Sequence, residues 1–303
     1  MSQAVVRVGG YAPPSSTHSR AIEHFAAEMH DLFGNTVEVD LLHNVLELGH
    51  PASELLEMVT NGDLTWCYFS TAYVGPKVPE LNAIEIPYLF DDLSSAHAAL
   101  DGPLGDALSA ATLEKAGYEV MGYWDNGFRH LTNRVRDIRT PDDAVGMSIR
   151  LQPNPIHEAM VETWGMTPVP AELSVGIKMI NDGDVDAQEN PLANTAAYGV
   201  THEYVTLTRH LYGARGLYAN PEIMASYPED IAFEIRKVAK RAIEFQRRAA
   251  AAYEEELAER FRGEGRTVRV LSAEERAAFR EPVAGLIERL RMDTPPHIQE
   301  LLP

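Results

Sequence analysis

The sequence contains one cysteine and no long apolar run, and each absence excludes a class of protein. Cys67 stands alone, so an intramolecular disulfide and a cysteine-ligated metal cluster are excluded. No stretch of 18 apolar residues occurs, so no transmembrane helix is predicted. The first residues lack the basic start and apolar core of a signal peptide. The sequence is therefore that of a cytosolic protein, or of an exported one whose signal peptide has been removed.

Positive charge is also scarce. Lysine and arginine number 26 against 45 aspartates and glutamates, which gives a formal net charge of −19 at pH 7. Nucleic acids and anionic membrane surfaces bind proteins through net basic faces. We therefore predict no nucleic-acid partner and no direct insertion into a membrane. A small anion can still bind such a protein where a few arginines are concentrated in a cleft.

The common metal and catalytic signatures are missing. The 11 histidines show no zinc-ligand spacing. Asp182, Asp184 and Asp186 resemble the start of a calcium loop, but Ala187 and Ala193 occupy the positions that require glycine and glutamate. No phosphate-binding glycine loop and no G-x-S-x-G sequence occurs. We predict no metal, no cofactor and no catalytic residue.

Length and periodicity predict two lobes of α/β structure. A chain of 303 residues exceeds the usual size of a single core. Strand-like and helix-like segments alternate from residue 4 onward, which is typical of α/β folds with mainly parallel sheets and helices on both faces. Residues 57–65 resemble residues 178–186, as expected if each lobe contains the same helix–glycine–strand unit. Generic helix-to-strand sequence could produce the same match.

Residues 228–262 predict one long helix. Pro228 suits the first turn, acidic residues follow it, and Arg260 and Arg262 lie near the far end, in agreement with the helix dipole. Such a helix would be roughly 50 Å long, longer than one lobe, so we predict that it spans both. We assign residues 1–124 and about 213–245 to the first lobe, and 125–212 and about 246–303 to the second. The ligand cleft is predicted between them.

Two arginines stand in apolar strand sequence. Arg129 follows the Asp125–Gly127 corner, and Arg150 lies between Ile149 and Leu151. A buried guanidinium is costly without an anion, so each needs an internal carboxylate or a ligand. The sequence leaves both alternatives open.

Several motifs, in order along the chain, resemble the DctP family of substrate-binding proteins that serve TRAP (tripartite ATP-independent periplasmic) transporters. These motifs are APP at 12–14, IPYLF at 86–90, GFR at 127–129, GMSIR at 146–150 and QENP at 188–191. The resemblance implies a two-lobed binding protein that is periplasmic, monomeric and not an enzyme. It implies capture of a small organic acid, such as a C4-dicarboxylate or a sugar acid, for membrane transporter subunits.

The resemblance also implies roles for residues of the second lobe. Arg150 looks like the arginine that binds the ligand carboxylate with two parallel hydrogen bonds, a geometry that suits a planar guanidinium. Arg129 looks like its supporting arginine, and Asn190 like the amide that contacts the same group. Gln152 is a further candidate. Leu173 is another candidate. Many relatives carry an aromatic residue at this position, followed by Ser-Glu-Leu-Tyr, so the ligand contacts of those side chains cannot be transferred to this chain.

In the first lobe, a loop and a strand carry candidates for contact with the rest of the ligand. They are Thr17, His18, Trp66, Tyr68, Ser70 and Tyr73. Core packing or helix capping explains each of them better than ligand contact does.

The sequence leaves two other functions open. A lyase or isomerase could act on a carboxylate in the same cleft, with His18 or Glu189 as the base. A sensor module could present its closed lobes to a receptor instead of a transporter.

Overall fold

The computed structural model describes residues 3–303 and divides the chain into two compact units. Unit 1 comprises the chain up to Val78, Ala99–Asp125 and Ala214–Ala251, and unit 2 comprises Pro79–Ala98, Asn126–Gly213 and Ala252–Pro303.

The helices and strands alternate along most of the chain, as the sequence predicts. The strands are β1 Ala4–Gly9, β2 Val37–Leu42, β3 Trp66–Ser70, β4 Glu119–Asn133, β5 Ser148–Leu151, β6 Thr167–Pro170, β7 Ala187–Asn190, β8 Tyr204–Ala219 and β9 Thr267–Val270. The α-helices are α1 Thr17–Phe33, α2 Glu54–Asn61, α3 Thr71–Val74, α4 Leu93–Leu100, α5 Pro103–Ala116, α6 Pro155–Thr163, α7 Leu173–Asp182, α8 Leu192–Ala197, α9 Pro221–Ser226, α10 Glu229–Gly263, α11 Ala273–Arg280, α12 Ala284–Asp293 and α13 Pro296–Gln299. Short 3-10 helices occupy Gly34–Thr36, Val45–Leu48, Pro79–Glu85 and Pro141–Ala144.

In unit 1, β1 pairs in parallel with β2 and β3, and β3 pairs antiparallel with the end of β8. Helix α1 begins where the Ser16 hydroxyl accepts a hydrogen bond from the Ser19 N–H at 3.0 Å. Its apolar residues recur at helical spacing and are buried, and Phe25 packs edge-on against Trp66 with ring centroids 5.1 Å apart. The helix therefore covers the sheet with the face that its sequence pattern predicts.

In unit 2, β5 pairs in parallel with β6 and β7, and β7 pairs antiparallel with the end of β4. Strand β9 pairs in parallel with the start of β8. The core includes Trp164, whose ring packs edge-on against Phe279 and whose Nε1–H donates to the Phe279 carbonyl at 2.9 Å. Strands β5 and β7 end side by side, which positions the residues at their carboxyl ends together.

The repeated sequence unit has the same local structure in both units. Helix α2 ends at Gly62 with φ of 84°, and α7 ends at Gly183 with φ of 88°. Glycine occupies this left-handed region without the strain that a side chain would cause. A strand follows each glycine, β3 in unit 1 and β7 in unit 2. The local interpretation of the repeat is therefore confirmed.

One segment differs from the predicted division of the chain. Residues 79–98 were assigned to the first lobe, but the structure assigns them to unit 2. The 3-10 helix Pro79–Glu85 contacts α13, and the Tyr88 N–H donates to the His210 carbonyl at 2.9 Å. These contacts join residues far apart in the sequence, so no local pattern reveals them.

The long helix predicted at 228–262 is confirmed as α10, Glu229–Gly263, with Glu229 and Asp230 in its first turn and Arg260 and Arg262 in its last. It contributes residues to both units. No helix within residues 3–303 is long and apolar enough to cross a membrane.

Candidate ligand-binding site

Arg150 is a buried cation to which the structure assigns no counterion. It lies on β5 between the fully buried Ile149 and Leu151, and it is 2% exposed. One guanidinium nitrogen, Nη2, donates to the Ala171 carbonyl at 2.7 Å, while Nε is buried without a hydrogen-bond partner. No carboxylate within residues 3–303 forms an ion pair with it. An internal carboxylate partner is therefore not found for Arg150 among the described residues, and its binding of a ligand anion stays a prediction.

A glycine of α7 makes room for this guanidinium. A Cβ built on Gly176 would lie 2.7 Å from Arg150 Cζ and closer still to Nε. Gly176 is buried in the first turns of α7, and any larger residue there would displace the arginine. Sequence reasoning missed this role. The signal was available, because glycine in a helix is unfavourable by about 1 kcal/mol relative to alanine and needs a packing reason.

Asn190 lies near Arg150 at the ends of neighbouring strands. Arg150 is the register partner of Gln188 in the parallel β5–β7 pair, and Asn190 is two residues further along β7 on the same face. Asn190 donates to Gln188 Oε1 at 3.0 Å, and its Oδ1 accepts from Asn194 at 3.2 Å. The structure thus brings together two predicted ligand residues, Arg150 and Asn190, within a row of amides.

Arg129 has the internal carboxylate that Arg150 lacks. Its Nε donates to Glu189 Oε2, and its Nη2 donates to Glu189 Oε1 at 2.6 Å and to Asn190 Oδ1 at 3.3 Å. Arg129 is 2% exposed and Glu189 is fully buried. Arg129 is therefore joined to Asn190 by a hydrogen bond, and both its supporting role and its direct contact with a ligand stay predictions.

Glu189 is the centre of a buried charge network. Besides Arg129, the imidazoles of His157 and His210 lie 3.7 and 3.5 Å from its oxygens, and His157 Nε2 is 2.8 Å from Glu85 Oε2. Burial opposes ionisation of Glu189, but the Arg129 charge and the two imidazoles outweigh it and hold the pKa of Glu189 well below its usual range. A carboxylate so acidic and so fully engaged is a poor general base, which argues against the catalytic role that the sequence left open.

The pKa values of the two histidines in this network are shifted in opposite directions. Burial disfavours protonated His157, but the Glu189 and Glu85 carboxylates outweigh burial and raise the pKa of His157. Burial lowers the pKa of His210 to about 4, which Glu189 only partly opposes. His157 therefore binds a proton more readily than His210, which is neutral at neutral pH.

The depressed pKa of His210 predicts a loss of stability in mild acid. The unfolded chain binds a proton near pH 6.5, whereas folded His210 does so only near pH 4, so the free energy of unfolding falls as pH drops through this window. Protonation of His210 alone should lower the free energy of unfolding by about 2 kcal/mol between pH 7 and pH 5. His157, with its raised pKa, acts in the window above pH 6.5 instead.

Urea unfolding of the wild type and His210→Gln at pH 7 and pH 5 checks this expectation. The variant should lose about 2 kcal/mol less than the wild type over that interval. His202, whose pKa burial also lowers to about 4, keeps titrating in both proteins and serves as an internal reference. Equal losses in the two proteins would contradict the assignment to His210.

The remaining second-lobe candidates flank Arg150. Gln152 follows the last residue of β5 and is 7% exposed. Leu173 is the first residue of α7, two positions beyond the Ala171 carbonyl that accepts from Arg150. Their contact with a ligand stays a prediction.

In unit 1, His18 and Tyr68 belong to one buried aromatic cluster. Their rings stack with centroids 5.3 Å apart, and His18 Nε2 is 2.9 Å from the Asp125 carbonyl oxygen. Burial, with the positive charge of Arg215, holds the pKa of His18 well below its usual value. Arg215 lies over the ring of Tyr11, 4.6 Å from its centroid, and is 1% exposed. Sequence reasoning missed Arg215, although an arginine inside the apolar β8 sequence is the same signal that identified Arg150.

The other first-lobe candidates differ in burial. Trp66 is fully buried between Phe25 and Trp124, as core packing predicts, and Thr17 is 4% exposed. Ser70 is the register partner of Arg215 on β3 and β8. Tyr73 is half-buried, with its ring 5.3 Å from that of Phe69. Ligand contact by these residues stays a prediction.

Comparison with known proteins decides the family. The model of the DctP family, described as bacterial extracellular solute-binding protein, family 7, matches residues 8–292. The chain belongs to this family. It is a family of solute-binding proteins, not of enzymes, so the prediction of a non-enzymatic binding protein is confirmed.

Individual members of the family agree with this assignment. A solute-binding protein of Verminephrobacter eiseniae is 30% identical over 229 residues, which cover 75% of this chain and 68% of the relative. The 2,3-diketo-L-gulonate-binding periplasmic protein YiaO of Escherichia coli is 27% identical, over 74% of this chain and 68% of its own. The sugar acid binding protein DctPAm of Advenella mimigardefordensis, whose crystal structure contains galactonate, is 27% identical in sequence. The two structures superpose with a TM-score of 0.92, and the match covers 100% of this chain and 97% of DctPAm.

Proposed function

We propose that this DctP-family protein acts in the periplasm, where it captures a sugar acid through Arg150 and delivers it to the membrane subunits of a TRAP transporter. The observation that carries the proposal is the buried Arg150 guanidinium, for which residues 3–303 supply no ion-pair partner. A carboxylate that accepts two charge-assisted hydrogen bonds would compensate this charge. Each such bond contributes on the order of 1.5–3 kcal/mol, so the clamp supplies much of the roughly 8 kcal/mol of micromolar affinity.

The polar groups beside Arg150 support a hydroxylated ligand. Asn190 is hydrogen-bonded to both Gln188 and Asn194, and Asn194 also donates to Asn126 Oδ1 at 3.3 Å. Amides both donate and accept, as sugar hydroxyls do. One similar protein is named for 2,3-diketo-L-gulonate, and another is a sugar acid binding protein whose crystal structure is a complex with galactonate.

A thermal-shift screen of refolded protein tests the proposal. The probes are galactonate, the neutral sugar galactose, and succinate. Galactose presents hydroxyls without a carboxylate, and succinate presents carboxylates without hydroxyls. Sugar acids should raise the melting temperature in a saturable way, equivalent to about 2.7 kcal/mol at one hundred times Kd. The neutral sugar should have no effect, and the ligand should be recovered unchanged. An equal response to galactose, or none to any acid, would overturn the proposal.

Gly176→Ala is expected to weaken binding of the acid identified in that screen by at least about tenfold. The new methyl group displaces the Arg150 guanidinium from its place against α7. The fold should lose about 1–3 kcal/mol, because overpacking against the buried Arg150 side chain outweighs the helix preference of alanine. Gly285→Ala on α12 is the matched control, since a Cβ there meets nothing within 4 Å.

Isothermal titration gives the affinity and urea unfolding gives the stability of each variant. If Gly176→Ala binds as tightly as Gly285→Ala, then Arg150 does not need the position that the structure shows.

A further inference from the structure

A pocket in unit 2, separate from the candidate site at Arg150, is lined by arginines and aromatic rings. It has a volume of about 270 Å³. Apart from two alanines, its lining consists of Tyr88, Phe90, Asp91, Arg209, Arg276 and Arg280. All of these residues belong to unit 2. Neither the carboxylate clamp nor the buried Glu189 network uses any of their side chains.

The pocket concentrates positive charge in a protein whose net charge is −19. Arg276 and Arg280 are one turn apart on α11, so they lie on the same face and repel each other. Arg209 approaches from β8. None of the three forms an ion pair with a carboxylate of residues 3–303, and Arg276 Nε is buried without a hydrogen-bond partner. Asp91 is the one acidic residue of the lining.

Tyr88 supplies a buried hydrogen-bond donor to the same pocket. It is 9% exposed, and its hydroxyl has no hydrogen-bond partner. Burial raises the pKa of Tyr88, although the charges of Arg276 and Arg280 act in the opposite direction, so the hydroxyl keeps its proton. An unpartnered buried hydroxyl costs about 1–3 kcal/mol, a cost that a bound acceptor would remove.

The backbone is strained at the same place. Among residues 3–303, Tyr88 and Arg209 are the two non-glycine residues with positive φ, 54° and 47°. Each such residue costs of order 1–3 kcal/mol, and strain of this kind concentrates at binding sites. The Tyr88 N–H donates to the His210 carbonyl, and the Arg209 N–H donates to His130 Nδ1 at 3.2 Å. These bonds hold both side chains at the pocket.

We propose that this pocket is a second anion site, which binds the phosphate group of a small soluble molecule. Three guanidinium groups and a hydroxyl from three separate chain segments suit a tetrahedral dianion better than a planar carboxylate. The rings of Tyr88 and Phe90 form an apolar wall for whatever the phosphate carries. The site does not depend on the carboxylate proposal, because it shares no residue with the Arg150 clamp.

Inorganic phosphate, glycerol phosphate and anionic phospholipid vesicles are the probes. The full chain is titrated at constant ionic strength with chloride as the reference, and binding is followed by calorimetry and by phosphorus NMR line width. Phosphate and glycerol phosphate should bind saturably. Arg276→Gln with Arg280→Gln should weaken this binding at least tenfold, and Tyr88→Phe should weaken it several-fold. Both variants should bind the organic acid as the wild type does.

The control is Lys240→Gln with Arg289→Gln, which removes the same charge from exposed positions outside the pocket. It should bind phosphate as the wild type does. Binding that is lost equally in this control would reflect general electrostatics and overturn the site. Binding to vesicles alone would overturn a soluble ligand, and no difference from chloride would overturn the proposal altogether.

Discussion

Arg150→Met is expected to abolish binding of the organic acid without loss of fold stability. Methionine retains much of the length and volume of the arginine but cannot hydrogen-bond to a carboxylate. The loss of two charge-assisted hydrogen bonds, about 3–6 kcal/mol, corresponds to a 10²- to 10⁴-fold rise in Kd. The ligand-free variant should be at least as stable as the wild type, because the substitution removes a buried cation that lacks an ion-pair partner.

The conservative variant separates charge from geometry. Arg150→Lys keeps a cation but not the planar fork, so its affinity should lie between those of the wild type and the methionine variant. Calorimetric titration gives the affinities, and urea unfolding without ligand gives the stabilities. If Arg150→Met binds like the wild type, the carboxylate is bound elsewhere. If the variant is several kcal/mol less stable without ligand, Arg150 has a structural role instead.

Glu189→Gln, in contrast to Arg150→Met, is expected to cause a large loss of fold stability. The substitution leaves Arg129 buried without its carboxylate and His157 with Glu85 alone, and breaking such a buried pair costs about 3–5 kcal/mol. Binding of the acid should weaken as well, because Arg129 no longer fixes Asn190. Urea unfolding at pH 7 measures the first effect, and titration under folding conditions measures the second.

A half-exposed ion pair provides the matched control. Glu119 bonds to Arg236 with the same two-pronged geometry, but the Glu119 side chain is 24% and that of Arg236 43% exposed. Glu119→Gln should therefore cost less than about 1 kcal/mol. A double-mutant cycle with Arg129→Met should show strong coupling to Glu189. If Glu189→Gln costs no more than Glu119→Gln, the buried network contributes little to the fold.

Local elements of the fold could be predicted because their signals lie within a few residues. The strand predicted from Ala4 is β1, and the helix predicted at 228–262 is α10, Glu229–Gly263. Apolar periodicity, helix-end charges and glycine C-caps determine such elements locally. The membership of residues 79–98 in unit 2 could not be predicted, since it depends on contacts with His210 and α13.

The candidate site could be predicted only in part, because its contacts also join residues that are far apart in the sequence. Arg129 and Arg150 look alike in sequence, each being an arginine in an apolar strand. Only the packed structure distinguishes them, because the carboxylate that pairs with Arg129 comes from Glu189, on a strand 60 residues away. Arg215 and Gly176 were missed, since their roles depend on what packs against them.

By itself, the sequence determined the alternation of strands and helices, the long helix, the family, and the residues that are candidates for binding an organic acid. These follow from short-range periodicity and from motifs that keep their order along the chain. The tertiary structure decided which arginine has an internal carboxylate, which glycine makes room for the other, and which arginines line a second pocket. The physical reason is that the cost of a buried charge depends on its neighbours in space, and strand pairing brings those neighbours from distant parts of the chain.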